Sequence, residues 1–371
     1  YFLEMNTRLQ VEHPVTELVY NVDLVSLMIN IAAGQKLGIK QNQVTATGWA
    51  IEARIYAEDS RKGFLPSIGQ LRQYNEPNFK KIRIDSGVSE GSHITMFYDP
   101  MISKIISFGD NRSSCIANLS MALDYYNISG VETNIQFVSS ILSDKDFQLG
   151  HITTAFIEDK YKGKFAPLKP DPKLEKKLMA IAAAILTPVI FQVYPTKPKK
   201  ARSILQISNK EFYLVEWEFY QGTHMIIIEG VQYEVTGQIT KSMTLFNGQV
   251  NGKDMPVKII REHHKVTLAT GPYKIDINIL PVSAEKLIEF MPELNKFGGN
   301  LKVLAPMPGM LTKLMVSEGD ILFSGQEVAI IEAMKMENSL RCEIDSVVES
   351  IHASEGDLLN VDDLIILLKE K

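Results

Sequence analysis

The pattern of apolar and polar positions changes twice along the chain. Up to about Leu168, helical and strand periods are mixed. In residues 22–33 (VDLVSLMINIAA) apolar side chains recur three and four apart, and the run stops at Gly34, so a helix is predicted there. Residues 48–56 (GWAIEARIY) alternate with a period of two. Trp49, Ile51, Ala53 and Ile55 fall on one face of a strand, Glu52 and Arg54 on the other. Residues 116–126 and 134–142 read as two further helices.

Pro167, Pro170 and Pro172 then punctuate the chain, and residues 178–194 (LMAIAAAILTPVIFQVY) are almost wholly apolar. A membrane span needs about 20 such residues. This run is shorter, holds Thr187, Pro188 and Gln192, and follows Glu175-Lys176-Lys177, so a buried helix is expected and no membrane. After the basic loop Pro195-Thr196-Lys197-Pro198-Lys199-Lys200, residues 203–280 switch to short alternating segments such as FYLVEWEF, THMIIIEG, VQYEVTG, PVKIIRE and KVTLAT. With turns expected at Asn247-Gly248 and Asn251-Gly252, this is an all-β signature, a barrel or curled sheet whose apolar face the preceding helix would cover or fill.

Residues 290–300 (FMPELNKFGGN) read as a linker, with free backbone at Gly298-Gly299. About ten such residues have an r.m.s. span of roughly 20 Å. Beyond it Ser317-Glu318-Gly319-Asp320 recurs as Ser354-Glu355-Gly356-Asp357, 37 positions later, and each copy precedes an apolar strand, Val328-Ala329-Ile330-Ile331 or Leu364-Ile365-Ile366-Leu367. Two similar halves predict a small sandwich with pseudo-two-fold symmetry. The turn joining the halves falls in Glu332-Ala333-Met334-Lys335-Met336-Glu337-Asn338 and is centred on Lys335.

Composition narrows the classes. The 371 residues leave room for two to four domains, and 45% apolar with 22% charged residues is the balance of a folded protein. A net charge of −5 offers no basic footprint for nucleic acid. Two distant cysteines, Cys115 and Cys342, make no disulfide framework and suit a reducing compartment. His93, His151, His263 and His264 form no zinc-like grouping with them. The first residue is Tyr1, so the chain reads as lacking an N-terminal part, and a leader would lie on that part.

Two sets of residues carry candidate chemistry. A lysine at the tip of a stiff central hairpin is a platform for a tethered cofactor: its amine must be exposed to be acylated, and only its side chain and the domain tether should move. At the other end, Glu4 and Asn6 are oxygen ligands two apart, hence on one face of an expected strand, and suit Mg²⁺ bridging nucleotide phosphates. Arg8, Gln10 and Glu12 would continue that face, where a fixed guanidinium beside a carboxylate suits a small anion that must lose a proton. His13 would then face away from Glu12 and pack as a core histidine.

Ala333-Met334-Lys335-Met336, with upstream Ala305-Pro306-Met307-Pro308-Gly309, resembles the attachment motif of biotin carboxyl carrier domains. Lipoyl domains share that fold but flank their lysine with acidic and small residues. The run Glu4-Met5-Asn6-Thr7-Arg8-Leu9-Gln10-Val11-Glu12-His13-Pro14 looks like the C-terminal part of an ATP-grasp biotin carboxylase, and Glu52-Ala53-Arg54-Ile55-Tyr56-Ala57-Glu58-Asp59 matches its second signature. Phe64-Leu65-Pro66-Ser67 and Tyr98-Asp99-Pro100-Met101 extend the likeness as scaffold. The resemblance implies that biotin is attached at Lys335, that Met334 and Met336 are read by a biotin-protein ligase, and that Glu4 and Asn6 help hold Mg²⁺ or Mn²⁺. It further implies that Arg8 and the backbone at Gln10 and Val11 hold bicarbonate, that Glu12 takes its proton, and that Arg54 stabilises the enolate form of the biotin ureido group.

Only about 130 residues, 169–300, lie between the biotin carboxylase region and the carrier module, too few for a carboxyltransferase on the same chain. The resemblance is therefore to α subunits of biotin-dependent acyl-CoA carboxylases, and Tyr126-Asn127-Ile128-Ser129-Gly130-Val131-Glu132-Thr133-Asn134-Ile135 with Ile152-Thr153-Thr154-Ala155-Phe156 is most similar to their propionyl-CoA branch. The implied fold is multidomain α+β: the end of a biotin carboxylase over 1–168, a helix and antiparallel barrel over 169–289 that docks a subunit, a linker over 290–300, and an all-β biotinyl domain over 301–371. The implied function is ATP- and bicarbonate-dependent carboxylation of biotin, then transfer by a carboxyltransferase β subunit to propionyl-CoA, giving methylmalonyl-CoA. The alternatives are a 3-methylcrotonyl-CoA or broad acyl-CoA carboxylase α subunit, or a carrier-only biotinyl protein. The glycine-rich ATP loop of the family is not in this sequence, so the chain by itself is expected to accept biotin but not to carboxylate it. The implied compartment is the mitochondrial matrix or the bacterial cytoplasm.

Overall fold

The computed structural model describes residues 3–95, 97–161, 165–190, 199–208, 211–220, 222–240, 242–262, 265–284, 301–323, 325–333, 336–342 and 344–370. Near the N-terminus, the strands Trp49–Tyr56, Met101–Gly109 and Ile82–Ser86 form an antiparallel sheet with Met101–Gly109 in the middle. The alternation read from residues 48–56 sets its two faces. Ala53 and Ile55 join Ile102, Ile105, Leu119 and Leu123 in a buried cluster against the helix Arg112–Tyr125, while Glu52 and Arg54 lie on the opposite face. That helix starts four residues earlier than its apolar pattern, because Asn111 caps a polar first turn by accepting from the Ser114 amide at 2.9 Å. The helix expected over residues 22–33 is Leu24–Ala32, started by Asp23 accepting from Ser26 at 2.8 Å and followed by Gly34 at φ +84°.

The apolar run is a core filler. The helix Pro172–Ile190 lies within a ten-stranded antiparallel sheet, and its residues 178–186 are at most 1% exposed, packed on Leu205, Val215, Ile226, Leu268 and Ile277. The long strands turn one apolar face to the helix, so burial of both is mutual. Residues 191–194 lie outside the described residues, and no single described helix is long and apolar enough to cross a membrane.

Of the two expected turns in this sheet, one forms. Asn251 and Gly252, at φ 53° and 70°, join paired Val250 and Lys253, as a two-residue hairpin requires. Asn247-Gly248 is not a hairpin. Phe246 pairs with Val257 near one end of the strand order, whereas Gly248 pairs with Gly237 near the other, so a single residue bridges the two ends and the sheet must curl. Gly248 is needed for close approach, since a Cβ there would sit 2.3 Å from the Thr236 carbonyl oxygen and 2.4 Å from the Phe246 ring.

Residues 301–370 form two four-stranded sheets with the same strand order, which share one buried core. Gly309–Leu314, Ile321–Leu322 and Glu327–Ala333 recur as Ser346–Ile351, Leu358–Leu359 and Leu364–Glu370, each 37 positions on. The linker read over residues 290–300 lies outside the described residues.

Candidate active site and carrier module

The N-terminal segment corrects one expectation. Residues 3–10 form no strand, and no described strand pairs with them. The chain turns at Val11 and Glu12 and enters the helix His13–Tyr20, which Pro14 favours at its start. Glu4, Asn6, Arg8, Gln10 and Glu12 therefore share no pleated face. His13 begins a helix instead of facing away across a strand, and its Nδ1 lies 2.9 Å from the Gln10 carbonyl oxygen. Glu4, Asn6, Arg8 and Gln10 are exposed, and Arg8 donates to the Leu9 carbonyl oxygen at 3.3 Å.

Glu12 is the helix N-cap residue, and its carboxylate makes no cap bond. It accepts instead from Arg54 Nη2 at 2.8 Å, so two candidate residues 42 positions apart meet in one half-exposed ion pair. The far wall is a row set by strand register. Arg54 pairs with Lys104, and Lys104 with Asp85, so guanidinium, ammonium and carboxylate stand side by side on one face of the sheet. Lys104, nearly buried, donates to the Val11 carbonyl oxygen at 2.9 Å and lies 3.4 Å from Asp85. Arg83 joins Asp85 at 2.8 Å to Glu17 of the helix at 2.7 Å, and Glu17 also accepts from the Leu24 amide at 2.8 Å. Burial alone would raise Asp85, but the hydrogen bonds from Arg83 win and hold its carboxyl below the usual range.

Sequence reasoning assigned no role to Glu52 or Lys104. Glu52 is nearly buried beside Arg54 at 3.8 Å, and one of its oxygens has no hydrogen-bond partner among the described residues. Burial pushes its carboxyl up, against the pull of Lys104 and Arg54. The Glu52-Ala53-Arg54 spacing could have flagged it, since residues two apart on a strand share a face. Lys104 gave no local signal, because its place depends on pairing with a distant strand. Asn134 fixes the end of the Arg54 strand, accepting from the Tyr56 amide at 3.0 Å and donating to the Arg54 carbonyl oxygen at 3.1 Å.

The second centre is the C-terminal sandwich, whose symmetry extends to its hydrogen bonds. The Ser317 and Ser354 amides each donate to the aspartate three residues on, at 2.8 Å. Glu318 accepts from the Ile351 amide at 3.1 Å and Glu355 from that of Leu314 at 2.9 Å, so each half ties down the other. Gly319 and Gly356 supply the positive φ of these turns, 90° and 95°. Ala333 pairs with Met336 at the end of the strands that join the halves, and Met336 is half-buried. Met334 and Lys335, between them in sequence, lie outside the described residues. Gly309 packs under this strand pair, where a Cβ would lie 2.5 Å from Ile331 Cγ2 and 2.8 Å from the Glu332 carbonyl oxygen.

Comparisons with known proteins follow this layout. Family models match as the carbamoyl-phosphate synthase L chain ATP-binding domain over residues 1–40, the biotin carboxylase C-terminal domain over 52–159, the propionyl-coenzyme A carboxylase BT domain over 195–293 and the biotin-requiring enzyme domain over 301–368. The chain thus matches the C-terminal region of a biotin carboxylase, a BT domain and a biotinyl domain, in that order. It is homologous to propionyl-CoA carboxylase α chains along nearly its whole length. It is 36% identical to that of Ruegeria pomeroyi over 99% of this chain and 58% of that one, and 35% identical to the human mitochondrial protein over 100% and 53%. The methylcrotonoyl-CoA carboxylase α subunit of Glycine max is 28% identical over 100% of this chain and 57% of its own. The chain spans 49–58% of the length of the first curated relatives it matches. Among solved structures, the biotin carboxylase domain of Hydrogenobacter thermophilus 2-oxoglutarate carboxylase with MgADP and bicarbonate is 43% identical over 45% of this chain and 37% of that one, with a TM-score of 0.43. The family models and the homology to propionyl-CoA carboxylase α chains bear out the expected resemblance and fold class.

Proposed function

We propose that the chain is the C-terminal part of an α subunit that carboxylates biotin carried on Lys335, using ATP and bicarbonate, for transfer by a β subunit to propionyl-CoA. The observation that carries this reading is the 2.8 Å contact between Glu12 and Arg54. Bicarbonate must lose a proton, and the ureido nitrogen of biotin is a weak nucleophile until negative charge on its oxygen is stabilised. Glu12 is a carboxylate open to solvent and able to take the proton, and Arg54 beside it supplies a fixed positive charge. Glu52 and Lys104 are positioning residues, Glu52 flanking Arg54 and Lys104 holding the Val11 carbonyl at the turn that presents Glu12. Arg8 and the backbone at Gln10 and Val11 would hold the bicarbonate.

Glu4 and Asn6 offer the hard oxygen donors that Mg²⁺ takes, and no described group of three or more His, Cys, Asp or Glu side chains could hold a metal ion. A cation at Glu4 and Asn6 would therefore rely on nucleotide phosphates for its remaining ligands, as Mg²⁺ commonly does. When bound, it would neutralise phosphate charge. Biotin on Lys335 would be added by a biotin-protein ligase that reads Met334 and Met336, and the 301–371 module would carry it to the β subunit. The location in keeping with the relatives is the mitochondrial matrix or the bacterial cytoplasm.

Identity favours propionyl-CoA over 3-methylcrotonyl-CoA, 36% against 28%. Turnover of a panel of acyl-CoA thioesters by the full-length α subunit with its native β subunit tests this. Propionyl-CoA should give the highest kcat/KM. A higher value for 3-methylcrotonyl-CoA would overturn the assignment. Loss of biotin incorporation and of all carboxylation in Lys335→Arg is expected in either case.

A further inference from the structure

A cavity of about 720 Å³ lies where the N-terminal unit meets the barrel, apart from the Glu12–Arg54 site. Asp124, Asn127, Ser129 and Gln136 approach it from one side, and Thr244, Lys258, Thr267 and Lys274 from the barrel. The two sides are fastened at its rim. The Gly271 amide donates to Asp124 at 2.7 Å, Asn127 donates to Thr244 at 2.9 Å, and Gln136 to the Tyr273 carbonyl oxygen at 3.1 Å. Its volume is that of pockets that hold a metabolite-sized molecule.

The charge lining it is unusual in one respect. Lys258 pairs with Ala269, and Ala269 with Lys274, so the two lysines stand in one cross-strand row with a methyl group between them. At the spacing of neighbouring strands their Cα atoms are about 10 Å apart. Val257, Ile259, Leu268 and Ile275 fill the barrel core, which sends the lysines outward into the cavity. Arg72 lines the same space from the N-terminal unit. Among the described residues, none of these three side chains makes a hydrogen bond or an ion pair.

The acids nearby form no ion pair with them. Asp59 and Glu132 are both bound by Arg61, at 2.8 and 3.2 Å, and Asp276 by Lys265 at 3.1 Å; these three act on Lys274, and Asp124 on Lys258, only from beyond ion-pair distance. Burial holds the Lys258 ammonium down to about 8 and lowers Lys274 as well, as expected of cations removed from water without a partner. Leaving such groups uncompensated is costly, and an anion between them would reverse the cost.

We propose that this cavity is a binding site for a small polyanion, an oligophosphate or a polycarboxylate, held by Lys258, Lys274 and Arg72 at the junction of the biotin carboxylase region and the barrel. Because its walls belong to both units, occupancy would also brace them against each other.

Competitive acetylation of the 371-residue chain, read by mass spectrometry, tests the site without altering the fold. Inorganic pyrophosphate or citrate at millimolar concentration should slow labelling of both Lys258 and Lys274 at least fivefold, and leave the exposed Lys253 unchanged. Which probe protects assigns the ligand class. Calorimetry should find one site for that probe, weakened at least tenfold in Lys258→Met and in Lys274→Met but not in Lys253→Met. Protection by neither probe, or equal affinity in the three variants, overturns the proposal.

Discussion

Replacing Lys104 by methionine tests the framework behind the Glu12–Arg54 pair. The Lys104 side chain is only 11% exposed, and its ammonium makes a 2.9 Å bond to the Val11 carbonyl oxygen, the tie between the central strand and the turn before the helix His13–Tyr20. Methionine keeps most of the volume and removes the charge. A hydrogen bond to a charged group contributes about 1.5–3 kcal/mol. Its loss is not offset at Val11, whereas Asp85 keeps Arg83 at 2.8 Å, so the lower part of that range applies to the sheet and the whole range to the turn. Hydrogen exchange of the Leu18 and Val19 amides reads the local opening directly. With 1.4 kcal/mol per factor of ten, exchange should quicken about 10- to 150-fold. Lys81→Met, which removes an exposed pair with Asp110 at 3.3 Å, should change it less than about twofold. Equal exchange in Lys104→Met and the parent would refute the idea that this lysine anchors the turn.

Other consequences follow from the fold. Gly309→Val should destabilise the C-terminal module by about 1–3 kcal/mol in urea unfolding, since its Cβ would fall within 2.8 Å of Ile331 and Glu332. Near-parental stability would mean that the strands can shift. His224 is buried, and burial lowers its pKa to about 4 while Trp217 Nε1 donates to its Nδ1 at 3.0 Å. The folded pKa lies below the unfolded one, near 6.5, so the unfolded chain binds the proton first. Barrel stability should therefore fall by up to about 1.4 kcal/mol per pH unit as pH drops from about 6.5 to about 4. Trp217 fluorescence in a Trp49→Phe background follows this, and His224→Gln should flatten the dependence. Ile181→Ala, at a fully buried position of the barrel helix, should cost about 2–5 kcal/mol by the same unfolding assay, and a change under about 1 kcal/mol would argue against the helix as the barrel's core.

What was legible in the sequence depended on local signals. The barrel helix was readable because a run of apolar residues has one low-energy place in a folded chain, and the carrier module because a 37-residue repeat fixes both halves at once. The meeting of Glu12 with Arg54 followed only from resemblance. Its wall of Lys104 and Asp85 was invisible, since strand register is decided by partners far along the chain. The strand expected through Glu4 and Glu12 failed for a related reason. Alternating polar residues suggest a strand only where another strand accepts their backbone bonds, and Pro14 starts a helix first. Asn247-Gly248 misled because an Asn-Gly pair marks glycine's freedom, whereas here the small size of Gly248 is what the packing needs.

Under the proposed function Glu12 and Arg54 act together on biotin. Fixation of ¹⁴C-bicarbonate onto biotin by the full-length α subunit, comparing Arg54→Ala with the parent at equal biotin content on Lys335, tests it most directly. A loss of at least about 100-fold in kcat is predicted, in keeping with removal of one charge-stabilising group. Undiminished fixation would mean that Arg54 does not stabilise the reacting biotin.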